Sequence, residues 1–142
     1  MKAMEISRSA LDVEWKRLEV IAQNLANVNT VRTALGDPYQ AMRLVSGPKV
    51  DFQRLLEGGG AAADLAGVEV YGVEPMNLPQ REVYEPGNPQ ADANGFVTYP
   101  GFDHAGEMTL MVKTARAYEA NIVALTAARQ MYLKALEIGK QS

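Results

Sequence analysis

Apolar residues recur with a helical period in the last part of the chain, from His104 to Gly139, a stretch without proline. Their spacings alternate between three and four residues, which is the a/d heptad pattern of a helix that packs along a partner. This first stripe consists of Met108, Met111, Ala115, Tyr118, Ile122, Leu125, Arg129, Tyr132 and Leu136. The pattern predicts one helix about 54 Å long. We therefore expect other protein to run alongside it.

The same stretch carries a second apolar stripe, about 200° around the helix from the first. The second stripe consists of Leu110, Ala117, Ala124, Met131 and Ile138. Because a single partner helix covers only one stripe, the other must face further protein or a membrane. A central helix of a bundle would also carry two stripes, and the pattern alone does not separate these cases.

The N-terminal segment, residues 4 to about 28, shows the same two-sided pattern. Its first stripe places Met4, Leu11, Leu18 and Leu25 at a positions and Ser7, Glu14, Ile21 and Val28 at d positions. Its second stripe consists of Ile6, Val13 and Val20. Both ends of the chain are thus predicted helices that need company on two sides, and pairing them, parallel or antiparallel, covers one side of each.

Asparagines mark the predicted end of this first helix. Asn accepts the left-handed backbone conformation that closes many helices, so we place the end between Asn27 and Asn29. The residues that follow, Thr30 to Thr33, favour extended backbone. The side-chain amides of Asn24, Asn27 and Asn29 have two interpretations: they are solvated at a helix end, or they bind a neighbouring chain.

Residues 36–103 have no helical periodicity, because they contain all seven prolines and ten of the twelve glycines. Short apolar runs predict strands instead. The predicted strands are Ala41–Val45, Val68–Val73, Glu82–Tyr84 and Phe96–Tyr99, with turns at Pro86-Gly87 and at Asn94-Gly95, the latter as a hairpin. The low-complexity run from Gly58 to Ala63 predicts a flexible loop.

The composition argues against several kinds of chemistry. The chain has no cysteine and one histidine, which excludes thiol nucleophiles, disulfides and the common zinc sites. The formal net charge is −3 and basic residues do not cluster, so we expect no nucleic-acid partner. We find no secretory signal and no run of about 18 apolar residues, so we expect no direct membrane insertion.

Weak candidates for catalytic or metal sites have simpler explanations. Acidic side chains occur among turn residues at Glu82, Glu85 and Asp92, where solvated carboxylates are ordinary. The segment from Asp92 to Gly95 lacks the further ligands of a calcium loop. Asp103 beside His104 is explained as a helix N-cap. We predict no catalytic residue, no cofactor and no metal ligand, and a protein that is not an enzyme.

Three segments resemble the flagellar rod and hook axial protein family. Ala22-Gln23-Asn24-Leu25-Ala26-Asn27-Val28-Asn29-Thr30 is similar to the Asn-rich signature of its rod proteins. The run from Asn88 to Val97 is similar to a segment that separates one short rod subunit from its relatives. Glu107-Met108, Met111 and the run from Ala115 to Asn121 resemble the terminal helix of the family. The chain departs from the family pattern at Gly101, where Asn is usual.

The resemblance implies a mainly α fold with a small β-rich insert, in which the long N- and C-terminal helices pair as a coiled-coil-like domain. It implies a structural component of the proximal rod of the bacterial flagellar basal body, which assembles by helix packing into the drive shaft and serves motility. It also implies export through the flagellar type III apparatus without a cleaved signal peptide, and assembly in the periplasm. The implied partners are rod subunits of the FlgB, FlgF and FlgG type, a FliE-type rod base protein, further copies of the chain, and the export apparatus.

We divide the chain into an N-terminal helix of the assembly domain at residues 1–34, a β-rich insert at 35–103, and a C-terminal helix of the assembly domain at 104–142. The predicted assembly interface combines stripe positions with polar residues of the family-like segments. It consists of Leu11, Leu18, Ile21, Asn24, Leu25, Asn27, Thr30, Met108, Met111, Arg116, Tyr118, Asn121, Ile122, Leu125, Tyr132 and Leu136.

Two other functions are compatible with much of this pattern. Another rod subunit of the same family would share both helical ends. A cytoplasmic helical adaptor or chaperone-like module would use the same stripes to bind a transient partner. The location of the chain, in purified basal bodies or in the cytosol, distinguishes the adaptor from a rod subunit.

Overall fold

A computed structural model describes residues 2–49 and 66–140. In chain order its elements are helix α1 (Lys2–Ala26), strands β1 (Met42–Pro48), β2 (Val68–Pro75), β3 (Arg81–Tyr84) and β4 (Phe96–Tyr99), and helix α2 (His104–Lys140). Two long helices thus flank a small β-rich insert in the sequence, which confirms this part of the predicted fold. The loop predicted from Gly58 to Ala63 lies outside the described residues.

The end of α1 lies where it is predicted, but it is closed differently. The backbone N–H of Asn27 donates to the carbonyl oxygens of Gln23 and Asn24, both at 3.1 Å, and the Asn27 side chain donates to the Gln23 carbonyl at 2.8 Å. The Thr30 hydroxyl donates to Asn27 Oδ1 at 3.0 Å. The predicted left-handed asparagine cap is wrong, because Asn77 is the one non-glycine residue with positive φ in the described part of the chain. A side-chain cap and a turn replace it.

Helix α2 begins at the predicted residue because Asp103 caps it. Asp103 Oδ1 accepts a hydrogen bond from the N–H of Ala105 at 3.1 Å, and the Asp103 carbonyl accepts one from Glu107 at 2.9 Å. The carboxylate of Glu107 lies in the first turn, where the positive end of the helix dipole favours it. The helix continues for 37 residues, which corresponds to about 56 Å.

Strands β1 and β2 pair with each other. The N–H of Lys49 donates to the carbonyl of Gly67 at 2.9 Å, and the N–H of Met76 donates to the carbonyl of Ala41 at 2.8 Å. Residue numbers therefore rise on one strand as they fall on the other, and the pair is antiparallel. Both strands start within a residue of their predicted positions and extend two or three residues further.

Strands β3 and β4 form a second antiparallel pair, with Tyr84 opposite Phe96. Residues 85–95 connect them. The flanking residues of Asn94-Gly95 pair across the turn, because the N–H of Asp92 donates to the carbonyl of Phe96 at 2.8 Å, but no strand of the sheet directly precedes this turn. Gly95 closes a small turn inside this connection: its N–H donates to the Asp92 carbonyl at 3.0 Å, and its φ is +82°. The turn lies where it is predicted, but the strands that pair lie further apart in sequence.

The described helices and strands belong to two compact units, and each unit contains part of both helices. The first unit comprises Met1–Lys16, Val45–Gly72 and Thr114–Ser142, and the second comprises Arg17–Leu44 and Val73–Lys113. In the first unit α1 meets α2 through the rings of Trp15 and Tyr118, whose centroids are 6.1 Å apart. In the second unit the contact is made by Asn24 and Glu107.

The buried face of α1 is shifted from the predicted first stripe towards the second and combines the second stripe with Ile21, a d position of the first. Val13 and Val20, which belong to the second stripe, are each 4% exposed, and Ile21 and Asn24 are buried beside them. The leucines of the first stripe are only half-buried. Val13 and Val20 of the second stripe and Ile21 of the first therefore face the interior of the protein.

The buried face of α2 is also rotated relative to the prediction. The d positions Met111, Tyr118 and Leu125 are half-buried, whereas Tyr132 is exposed. Four further buried or half-buried residues come one position before the predicted a positions 108, 115, 122 and 129. These four residues are Glu107, Thr114, Asn121 and Ala128. They are polar or small, so a search for hydrophobic periodicity passes over them. Within the described residues, neither helix combines the length and apolar character that crossing a membrane requires.

Candidate assembly surface

Large apolar side chains remain exposed along much of α2. The exposed residues are Met108, Leu110, Val112, Ile122, Val123, Met131, Tyr132, Leu133, Leu136 and Ile138. They lie on more than one side of the helix, because Met108 and Ile122 share the a position whereas Leu110 and Met131 belong to the second stripe. Exposed apolar surface of this extent is typical of a protein contact surface. We call this set the α2 surface.

The last part of the α2 surface has no buried residue. From Arg129 to Lys140 every side chain is exposed, and Met131 and Ile138 are 67% and 71% exposed. A soluble helix normally buries one face against its own protein. This end of α2 therefore presents apolar side chains that its own described chain does not cover.

The structure places the predicted interface residues in three groups. Exposed are Met108, Arg116, Ile122, Tyr132 and Leu136; half-buried are Leu11, Leu18, Leu25, Asn27, Thr30, Met111, Tyr118, Asn121 and Leu125; buried are Ile21 and Asn24. The exposed group, apart from Arg116, belongs to the α2 surface. The buried pair has almost no area to offer a neighbouring subunit in this conformation.

In the first unit a serine attaches β2 to α1. The N–H of Val68 donates to Ser9 Oγ at 3.0 Å, and the Ser9 hydroxyl donates to the carbonyl of Ile6 at 2.8 Å. Gly67, with φ +98°, approaches the same serine so closely that a Cβ at this position would collide with Ser9 Oγ. Glycine suits this position because of its positive φ, and a Cβ would displace the Ser9 side chain that holds Val68.

In the second unit Asn24 joins three segments of the chain. Its Nδ2 donates to the carbonyl of Met42 at 2.8 Å and to Glu107 Oε2 at 3.2 Å. Its Oδ1 accepts from the N–H of Met42 at 2.9 Å and from the hydroxyl of Tyr39 at 3.0 Å. Neither interpretation of this amide drawn from the sequence describes it, because Asn24 is 1% exposed and its bonds stay within the chain.

Glu107 and Tyr39 complete this cluster and carry no recognisable signal of burial in the sequence. Glu107 is 7% exposed although it is a carboxylate. Burial, and secondarily the charge of Glu107, raises the pKa of Tyr39 above its ordinary value of 10.0. Glu107 lies one heptad before Thr114, but because neither residue is apolar, hydrophobic periodicity does not indicate that they face inward.

The carboxylates of the β3–β4 connection hold the loop in shape. Asp92 Oδ1 accepts from the backbone N–H groups of Asn94 and Phe96, both at 2.8 Å. Glu85 accepts from the hydroxyl of Tyr99 at 3.1 Å. Partial burial and this hydrogen bond raise the pKa of Tyr99, although the cation of Arg81 above the ring opposes the shift. In residues 2–49 and 66–140, acidic and histidine side chains form no group of three or more that could hold a metal ion.

Comparison with known proteins identifies the family. A family model described as "Flagella basal body rod protein" matches residues 4–32, and one described as "Flagellar basal body rod FlgEFG protein C-terminal" matches residues 93–138. The flagellar basal-body rod protein FlgC of Salmonella typhimurium LT2 is 41% identical over 140 residues, which cover 99% of this chain and 98% of the relative. The chain belongs to the FlgC family.

More distant FlgC proteins support the same assignment. FlgC of Bacillus subtilis 168 is 35% identical over 147 residues, and FlgC of Borreliella burgdorferi is 30% identical over 148 residues, each covering at least 95% of both chains. The resemblance to flagellar rod proteins is thereby confirmed. The protein is a structural component of the flagellar basal-body rod, and as such it belongs to an assembly with other rod components.

Proposed function

We propose that this FlgC-family protein enters the rod by helix packing, with the α2 surface buried against neighbouring subunits. The observation that carries the proposal is the run of exposed apolar side chains on two sides of α2, which continues to the end of the described helix. Burial in an assembly would remove this apolar surface from water at about 25 cal/mol per Å².

We further propose that α1 and α2 form an antiparallel, coiled-coil-like pair. The first unit contains the beginning of α1 and the later part of α2, and the second contains the end of α1 and the beginning of α2. The contacts of Trp15 with Tyr118 and of Asn24 with Glu107 support this direction. The proposed assembly domain consists of residues 1–34 and 104–142, and the insert at 35–103 would contact adjacent subunits.

The remaining features follow from membership of the family and stay part of the proposal. The partners would be FlgB-, FlgF- and FlgG-type rod subunits, a FliE-type base protein and further copies of the chain. The protein would be exported by the flagellar type III apparatus without a cleaved signal peptide and would assemble in the periplasm at the proximal rod. Its role would be mechanical rather than catalytic.

A charge placed on the α2 surface tests the proposal. Ile122 is 42% exposed, so Ile122→Asp should change the stability of the protomer by no more than about 1 kcal/mol. In an assembled rod the same carboxylate would be buried without a partner, which costs several kcal/mol. We expect cells that carry this variant to lose motility and their basal bodies to lack the protein.

A matched control adds the same charge elsewhere on the helix. Ala127 shares its heptad position with Lys113 and Lys134 and is exposed, so Ala127→Asp should leave both motility and incorporation close to parental. Normal incorporation of Ile122→Asp would refute the proposed use of the α2 surface. Recovery of the parental protein in the cytosol, and not in purified basal bodies, would favour a helical adaptor instead.

A further inference from the structure

The Asn24 side chain hydrogen-bonds the backbone of Met42 in the way that a neighbouring β-strand would. A primary amide has two donor hydrogens and one oxygen with two acceptor sites. In this protein both donors and both acceptor sites are used, by Met42, Glu107 and Tyr39. Two of the four bonds go to the N–H and the carbonyl of Met42, the first residue of β1. The amide thus supplies the hydrogen bonds that a neighbouring strand would otherwise provide.

Glu107 is the member of this cluster that comes from α2. A carboxylate can only accept, so it can meet only the Nδ2 end of the amide. Its contact therefore favours the orientation in which Nδ2 points to the Met42 carbonyl and Oδ1 points to the Met42 N–H. The three residues lie far apart in sequence and belong to the same compact unit. Because Glu107 is 7% exposed, leaving it without this donor would carry a desolvation cost.

We propose that Asn24 and Glu107 form a latch that couples the first turn of α2 to the start of β1. When α2 packs against α1, Glu107 holds the Asn24 amide, and the held amide fixes Met42. When the beginning of α2 detaches, the amide loses one partner and its preferred orientation, and its hydrogen bonds to the backbone of Met42 break. Glu107 is thus a positioning residue for the insert, a role that goes beyond helix packing in the rod and does not depend on the α2 surface.

Amide hydrogen exchange in the full chain tests the latch. Glu107→Met removes the acceptor while it keeps a side chain of similar size and helix propensity. The Met42 N–H should then exchange at least about tenfold faster, since a hydrogen bond to a charged group is lost. The N–H of Glu85, which donates to Gly95 in the same unit, serves as the internal reference and should change much less.

Two further variants make the result specific. Glu107→Gln keeps an acceptor oxygen at the same distance from the backbone, so exchange at Met42 should remain within about threefold of the parental rate. Glu119→Met makes the same substitution at an exposed position of α2 and should have no effect on Met42. If Glu107→Met accelerates exchange of the Met42 and Glu85 N–H groups equally, or accelerates neither, the latch is disproved. Equal effects of the Gln and Met variants would also overturn it.

Discussion

The hydroxyl of Tyr39 shows how one side chain makes stability depend on pH. It donates to Asn24 Oδ1, and burial followed by the nearby Glu107 raises its pKa above 10.0. Both surroundings disfavour the phenolate, so the folded state keeps the proton to higher pH than the unfolded state does. The unfolded state therefore binds fewer protons above pH 10, and the free energy of unfolding falls as pH rises through this range.

We expect Tyr39→Phe to weaken this alkaline loss of stability. The variant should be less stable than the parent near neutral pH, by about 1 kcal/mol for the lost hydrogen bond. Its stability should also fall less steeply as pH rises above about 10. Urea unfolding at several pH values measures both effects. Tyr99→Phe is measured for comparison, because the pKa of Tyr99 is also raised. An alkaline slope in Tyr39→Phe equal to that of the parent would contradict the assignment of this loss of stability to Tyr39.

At the residue scale, the sequence predicted the N-cap of α2 correctly, but not the closure of α1 or the distant partners of Asn24. Asp103 was predicted as an N-cap, because that role depends on neighbours in sequence. Asn24 and Glu107 are separated by 83 residues, so no local pattern shows that they meet. Their polar character argued for solvent exposure, whereas a satisfied hydrogen-bond network allows both to be buried.

At the scale of elements, the sequence predicted which segments are helices and strands better than which faces they bury. Breaker density and periodicity depend on local backbone preferences, and both helices and all four strands followed them. The buried side of each helix depends on the packing partner. Small and polar residues such as Thr114 occupy the buried side of α2, and many of its larger apolar residues stay exposed. Hydrophobicity was therefore a poor guide to the internal face because this chain has more apolar stripes than it buries.

A prediction at the same scale concerns Gly101, which lies between β4 and α2 and packs against the segment before β3. A Cβ at Gly101 would overlap the carbonyl oxygen of Pro79, which precedes β3. Gly101→Ala must displace backbone rather than a flexible side chain, so we expect a loss of about 3 kcal/mol. Gly87→Ala is the control, because a Cβ there meets nothing within 4 Å. Urea midpoints compare the two, and a loss below about 1 kcal/mol in Gly101→Ala would show that Pro79 does not hold this position.

For the whole molecule, the stripes indicated contacts beyond one chain, and only the family resemblance implied a structural protein. Each end carried two opposed stripes, and the family-like segments named the assembly. The sequence did not show how the exposed apolar residues would be distributed. They concentrate on α2, and most strongly in its last part, because α1 and the insert leave that part uncovered among the described residues.

This distribution predicts that the end of α2 is ordered by assembly. A helical segment of about 12 residues that buries no side chain is marginally stable in water, and residues 129–140 have only exposed side chains. In the isolated protomer, amides of this segment should exchange at least about tenfold faster than those of residues 107–121, which include buried positions. In purified basal bodies the difference should disappear, because neighbouring subunits would cover Met131, Tyr132 and Leu136. Equal protection of both segments in the protomer would mean that α2 needs no neighbour to be stable. Exchange that stays fast in basal bodies would place this end of the helix outside the subunit contacts.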